Sequence, residues 1–120
     1  MKERIVSAAT ITAGVLAFHL MAPPASAAGD AAKGKEVFEQ CSACHNYETD
    51  EKKVGPSLKG LYAKEKLTNG KPVSDQTVLE FVNNGGNGMP GYADILEPQE
   101  KEDLMAFLKT LGGAGAAAAA

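Results

Sequence analysis

Cys41-Ser42-Ala43-Cys44-His45 decides the reading of this 120-residue chain, and it contains both of the chain's cysteines. Two thiols three positions apart, with an imidazole directly after the second, form the arrangement that attaches haem covalently. The thiols add to the two vinyl groups on one edge of the porphyrin, and the next side chain then lies against the iron. Neutral imidazole is a good iron ligand, so His45 is the expected proximal one. The competing uses of such a pair fall short on ligands or context. A structural zinc site needs four ligands, and the only other histidine, His19, lies in an apolar N-terminal stretch. A thioredoxin-like dithiol needs a preceding strand and a βαβ context, and no such pattern is visible. A plain disulfide would close a very short loop and leave His45 without a purpose.

The N-terminus supports the same chemistry independently. Met1-Lys2-Glu3-Arg4 is followed by a mostly apolar run from Ile5 to Met21, and Ala25-Ser26-Ala27 fits a small-x-small cleavage site. The run is short for a membrane span and is diluted by Ser7, Thr10, Thr12, Gly14 and His19. A signal peptide over residues 1–27, cleaved on export to the periplasm, is the expectation; without cleavage the protein would be secreted or held at a membrane. Export puts the thiols in an oxidising space, where capture by haem keeps the pair from oxidising.

Residues 28–120 suffice for one domain, and a large apolar cofactor would enlarge the core of so small a unit. The expected domain covers 28–111. Residues 112–120 are a low-complexity Gly/Ala tail without amphipathic pattern. Beyond residue 27 the chain has ten lysines, no arginine and fourteen carboxylates, a balance unsuited to nucleic acid. Lys52, Lys53, Lys59, Lys64, Lys66 and Lys71 share one stretch with Glu65, whereas Glu97, Glu100, Glu102 and Asp103 gather near the C-terminus. The lysine segment is a candidate docking face for an acidic partner.

Three helices are predicted. Asp30 caps the first, which runs to Gln40 with Gly34, Val37, Phe38 and Cys41 on one face. Glycine inside a helix costs about 1 kcal/mol relative to alanine, so Gly34 implies close approach of another backbone. The last helix supplies it: Pro98 suits its first position, and Leu104, Phe107, Leu108 and Leu111 repeat the same spacing before Gly112-Gly113. Between them, Ser74 caps a helix over residues 75–83 with Val78, Leu79, Phe81 and Val82 inward, stopped by Asn84-Gly85-Gly86. No period-two alternation is sustained, and the predicted fold is all-α.

The other face of the iron needs a ligand. His19 leaves with the signal peptide, and lysine is protonated and strongly hydrated at neutral pH. Two soft thioethers remain. Met105 sits mid-helix beside an apolar stripe, where packing explains it. Met89 lies in Gly85-Gly86-Asn87-Gly88-Met89-Pro90-Gly91, a loop whose glycines allow close approach to a flat cofactor. It is the expected sixth ligand. Pro56, in Gly55-Pro56-Ser57-Leu58, offers a carbonyl without an amide donor and is placed to accept the second ring N–H of His45.

With CSACH, Gly55-Pro56-Ser57-Leu58-Lys59-Gly60 and Gly88-Met89-Pro90-Gly91-Tyr92 in that order, the chain resembles the class I (monohaem) cytochromes c, the small bacterial ones in particular. The likeness covers about residues 29–111. It implies three main helices and short turns wrapped around one haem c, bound through Cys41 and Cys44, with the N- and C-terminal helices crossing. It also implies His45 and Met89 as axial ligands, Pro56 accepting from His45, Leu58 packed on the ring, and Phe38 and Tyr92 near the pocket. Many members hold a propionate with an arginine just after the Gly-Pro segment. Here Lys64 stands at about that place, and residues 28–120 hold neither arginine nor tryptophan. The Gly60–Met89 interval is also short beside mitochondrial members.

The function expected from this resemblance is that of a periplasmic one-electron carrier, not an enzyme, monomeric and without a membrane span after signal cleavage. Its expected partners are redox proteins: a dehydrogenase, reductase or oxidase. The alternatives are a haem subunit of a dehydrogenase or oxidase complex, and a gas-binding or peroxidase haem protein with an open or labile sixth site.

Overall fold

Asp30 starts the first helix: its carboxylate accepts from the N–H groups of Ala32 at 2.8 Å and Lys33 at 3.3 Å, two donors that the helix itself leaves unpaired. In the computed structural model, which describes residues 28–112 and the isolated Gly14, this helix is α1, Ala31–Phe38. It ends two residues before the expected Gln40. The Cys41 N–H bonds to the Phe38 carbonyl at 2.8 Å, a tighter i to i−3 closure that turns the chain into the CSACH segment. The expected signal peptide, Gly14 aside, and residues 113–120 lie outside the described residues.

Helix α2 spans Asp75–Asn84, and its Ser74 cap forms a reciprocal capping box with Thr77. Helix α3 spans Pro98–Lys109, with proline in its first turn and Glu100 reaching back to the Glu97 N–H at 2.8 Å. It stops short of Gly112, because Thr110 closes on the Phe107 carbonyl and the Leu111 carbonyl is taken by the Tyr62 N–H at 2.9 Å. Tyr62 belongs to a short 3₁₀ turn, Leu61–Ala63, absent from the sequence expectations. Among the described residues there is no strand, only the isolated bridges Lys66–Pro72 and Gly86–Met89. The all-α expectation holds.

The crossing of α1 and α3 is the most extensive packing between elements. It happens at Gly34: a Cβ there would run into the Asp103 carbonyl and come within 2.8 Å of Phe107 Cβ. Gly34 and Phe38 are buried from one side, and Leu104, Phe107, Leu108 and Leu111 from the other. Tyr47 completes an aromatic trio with Phe38 and Phe107, at centroid distances of 5.2–5.4 Å. Phe38 is therefore a core residue between the crossed helices. Val78 and Val82 of α2 join this core and Leu79 packs against it. Phe81 departs from expectation: it is half-buried and outside the core cluster.

Candidate functional site

The CSACH segment continues out of α1 as a turn. The His45 N–H bonds to the Cys41 carbonyl at 2.9 Å and the Cys44 N–H to the same oxygen at 3.1 Å. This spacing puts Cys41 one helical turn behind Cys44 and His45. The two sulfurs are not joined to each other, and both residues are half-buried. Among the described residues no three His, Cys, Asp or Glu side chains gather to hold a bare metal ion.

Residues 53–58 run alongside the motif and brace it. The Gly55 N–H donates to the Cys44 carbonyl at 2.8 Å, and the Leu58 N–H to the Asn46 carbonyl at 2.7 Å. Lys53 Nζ donates to the Ser42 carbonyl at 2.9 Å. The result is a 2.8 Å hydrogen bond between His45 Nδ1 and the Pro56 carbonyl. A carbonyl can only accept, so Nδ1 carries the proton and Nε2 keeps its lone pair for a metal. Gly55 makes room for this ring: a Cβ there would lie 2.5 Å from Cε1 and 2.8 Å from Nδ1 of His45. The sequence reading gave Gly55 no role of its own, and it missed Asn46 and Tyr47 altogether.

Met89 sits on a two-residue hairpin. Gly86 and Met89 exchange both backbone hydrogen bonds at 3.0 Å, and Asn87 and Gly88 between them have φ of 53° and 88°. Positive φ at both central positions is the type I′ turn for which Asn-Gly is suited. The hairpin is tied to the end of α2, with the Tyr92 N–H on the Val82 carbonyl at 2.9 Å and the Ala93 N–H on the Asn83 carbonyl at 3.2 Å. Met89 is half-buried and outside the core cluster, whereas Met105 is buried within it, as a packing residue should be.

Tyr92, next to the hairpin, packs partly buried against the core, and burial pushes its phenol up. Cys41, Leu58, Leu67, Val73, Leu79 and Tyr92 are all apolar or aromatic, only partly buried, and packed on the core. Asn83 Oδ1, at the foot of the hairpin, is a buried side-chain polar atom without a partner. Half-covered apolar side chains, an imidazole with one nitrogen unspent and an unsatisfied polar atom fit a large, mostly apolar group with polar edges. Haem is such a group.

The lysines of the candidate docking segment are partly engaged. Lys64 Nζ donates to the Ser57 carbonyl at 2.8 Å, while Lys59 pairs with Asp50 and Lys71 with Glu80 at 3.3 and 2.7 Å. Among the described residues no helix is long and apolar enough to cross a membrane.

Comparison with known proteins agrees with this geometry. The cytochrome c family model matches residues 31–112. Cytochrome c2 of Blastochloris viridis is 30% identical, over 75% of this chain and 84% of its own. Cytochrome c6 of Thermostichus vulcanus is also 30% identical, over 90% of this chain and 91% of its own. The crystal structure of cytochrome c6 from the diatom Phaeodactylum tricornutum superposes with a TM-score of 0.55 at 24% identity, covering 77% of this chain and all of that one. The chain carries one covalent haem c, through Cys41 and Cys44. It belongs to the class I monohaem cytochrome c family.

Proposed function

We propose that this protein is a periplasmic one-electron carrier in which His45 and Met89 are the axial ligands of the haem, and that it is not an enzyme. The observation that carries this reading is the His45–Pro56 hydrogen bond of 2.8 Å, which leaves Nε2 as the only nitrogen of the ring available for ligation. When bound, haem supplies a one-electron ferrous–ferric couple, and a thioether opposite histidine raises its potential. The chain's own part is to orient and to exclude. Cys41 and Cys44 anchor the group, Pro56 fixes the tautomer and aim of His45, and Leu58 packs against the ring. Met89, on its turn clipped to α2, fills the position that a small molecule would otherwise take. A filled position leaves no site for substrate, which supports transfer of electrons alone.

Export through residues 1–27 and exchange of electrons with a dehydrogenase, reductase or oxidase belong to the same reading. Lys52 and Lys66, with the partly engaged lysines around them, would steer an acidic partner. Electron-transfer rates with such a partner should fall as ionic strength rises.

The test is an optical spectrum of protein matured with haem-attachment machinery, oxidised, then reduced, then exposed to carbon monoxide. Covalent c-type bands, a near-infrared iron–sulfur band lost in Met89→Ala, and no carbon monoxide shift at neutral pH are the expected results. A ready carbon monoxide shift without an iron–sulfur band would overturn the carrier reading in favour of gas binding or catalysis.

A further inference from the structure

Asparagine is a thermolabile residue, most of all before glycine, whose bare backbone lets its own nitrogen attack the preceding side-chain amide. The chain has three such pairs, Asn69-Gly70, Asn84-Gly85 and Asn87-Gly88, and the fold treats them differently. The Gly85 N–H donates to the Phe81 carbonyl at 2.7 Å where α2 ends, and a Cβ on Gly85 would run into the Met89 carbonyl. The Gly70 N–H donates to the Leu67 carbonyl at 2.9 Å, and Asn69 Oδ1 accepts from the Lys71 N–H at 3.0 Å. In both pairs the nitrogen that would attack is already spent. Asn87-Gly88 is the tip of the Met89 hairpin. Both residues are exposed, and a Cβ on Gly88 would meet nothing within 4 Å. Among the described residues the Gly88 N–H makes no backbone hydrogen bond. Glycine on either side of Asn87 gives the peptide unit room to rotate.

We propose that Asn87 is a site of self-modification by deamidation, and that the change releases the Met89 hairpin as the protein ages. The Gly88 nitrogen bonds to Asn87 Cγ, and the side-chain nitrogen leaves as ammonia, taking the Gly88 N–H proton with it. Water then opens the cyclic imide. Cleavage at the side-chain carbonyl gives aspartate, and cleavage at the backbone carbonyl gives isoaspartate. Isoaspartate carries the main chain through one extra carbon. A two-residue turn cannot absorb it and keep the register in which Gly86 and Met89 exchange both hydrogen bonds. The consequence for the iron rests on the reading of Met89 as the sixth ligand; the modification itself does not.

The experiment ages the haem-loaded protein at mildly alkaline pH and locates aspartate and isoaspartate by peptide mapping, while following the iron–sulfur band. Gly70 and Gly85 must first release a hydrogen bond, so Asn87 should convert roughly two- to tenfold faster than Asn69 or Asn84. The parent should lose its iron–sulfur band in step with isoaspartate at position 87. Asn87→Gly removes the side-chain amide and keeps a residue suited to positive φ, so it should hold its band through the same ageing. Conversion at Asn87 no faster than at Asn69 and Asn84 would overturn the proposal. A band that survives full conversion to isoaspartate, or that fades equally in Asn87→Gly, would overturn the release of the hairpin. A parent that never shows the band would overturn the Met89 reading, and the mapping would then decide Asn87 on its own.

Discussion

The backbone N–H of Asp30 donates to Oδ1 of Asp103 at 2.8 Å, joining the start of α1 to the middle of α3. Gln99 Nε2 donates to the same oxygen at 3.0 Å. The carboxylate is buried, and these contacts hold it below the usual carboxylate range. The Asp30 N–H contributes most and Gln99 next; burial opposes them, and the Lys33 charge adds a little.

A depressed folded-state pKa gives stability that is present above the unfolded value, about 3.9, and lost as pH falls through the lower folded value. The melting temperature of the parent should therefore drop between about pH 5 and about pH 2. Asp103→Asn keeps an acceptor oxygen but cannot titrate, so its melting curve should change less over that window. Parallel curves would show that Asp103 contributes nothing to acid unfolding.

Gly34 should tolerate no side chain. Alanine would drive its methyl into the Asp103 carbonyl and against Phe107 Cβ, and both belong to a helix packed along its length on α1. Overpacking of this kind costs about 1–3 kcal/mol. That predicts a loss of at least about 4–8 °C in melting temperature for a domain of this size, despite the better helix propensity of alanine. An unchanged melting temperature in Gly34→Ala holoprotein would mean that the helices can separate at the crossing without cost.

Gly55→Ala tests how the imidazole is aimed. The added methyl would overlap Cε1 and Nδ1 of His45, so either the ring or the 53–58 segment must move and the bond to Pro56 must lengthen. That bond raises the basicity of the opposite nitrogen, which favours ferric iron. Weakening it should shift the reduction potential upward. A potentiometric titration of parent and variant checks the direction, and a downward shift would count against Pro56 as the partner that matters.

Much of this was legible in the sequence because it depends on local chemistry. Cys41 and Cys44 are near neighbours whose spacing alone specifies haem attachment, Asp30 and Ser74 announce helix starts with side chains that accept from adjacent backbone, and Pro98 does so through its fixed φ. Gly34 was readable because glycine inside an apolar stripe needs a nearby backbone to justify it. The parts that were missed depend on contacts between distant segments. Nothing next to Gly55 in sequence says that the His45 ring lies over it, and nothing around Tyr47 marks it as a third ring between Phe38 and Phe107. Phe81 shows the limit of periodicity. Its spacing on α2 suits the core, yet the side chain stays half-buried and outside the core cluster.

The end of α3 is fastened by a charged cluster whose worth can be bounded. Lys109 Nζ lies 2.6 Å from Asp75 Oδ2, and the Tyr62 phenol donates to Asp75 Oδ1 at 3.0 Å, linking α3, α2 and the 3₁₀ turn. Lys109, before Tyr62, pulls the Asp75 carboxylate down, with burial opposing. Burial, followed by the hydrogen bond and charge of Asp75, pushes the Tyr62 phenol well above its ordinary range. The Lys109–Asp75 pair is largely exposed, at 41% and 58%, so it contributes no more than about 1 kcal/mol and less in high salt. Tyr62→Phe should cost about 0.5–1.5 kcal/mol, read from denaturant midpoints at neutral pH. A raised phenol pKa gives stability that is complete below the unfolded value, about 10, and lost as pH rises toward the folded one. The cost of Tyr62→Phe should therefore shrink above about pH 10. A cost that stays constant into that range would assign the effect to packing of the ring and not to its hydroxyl.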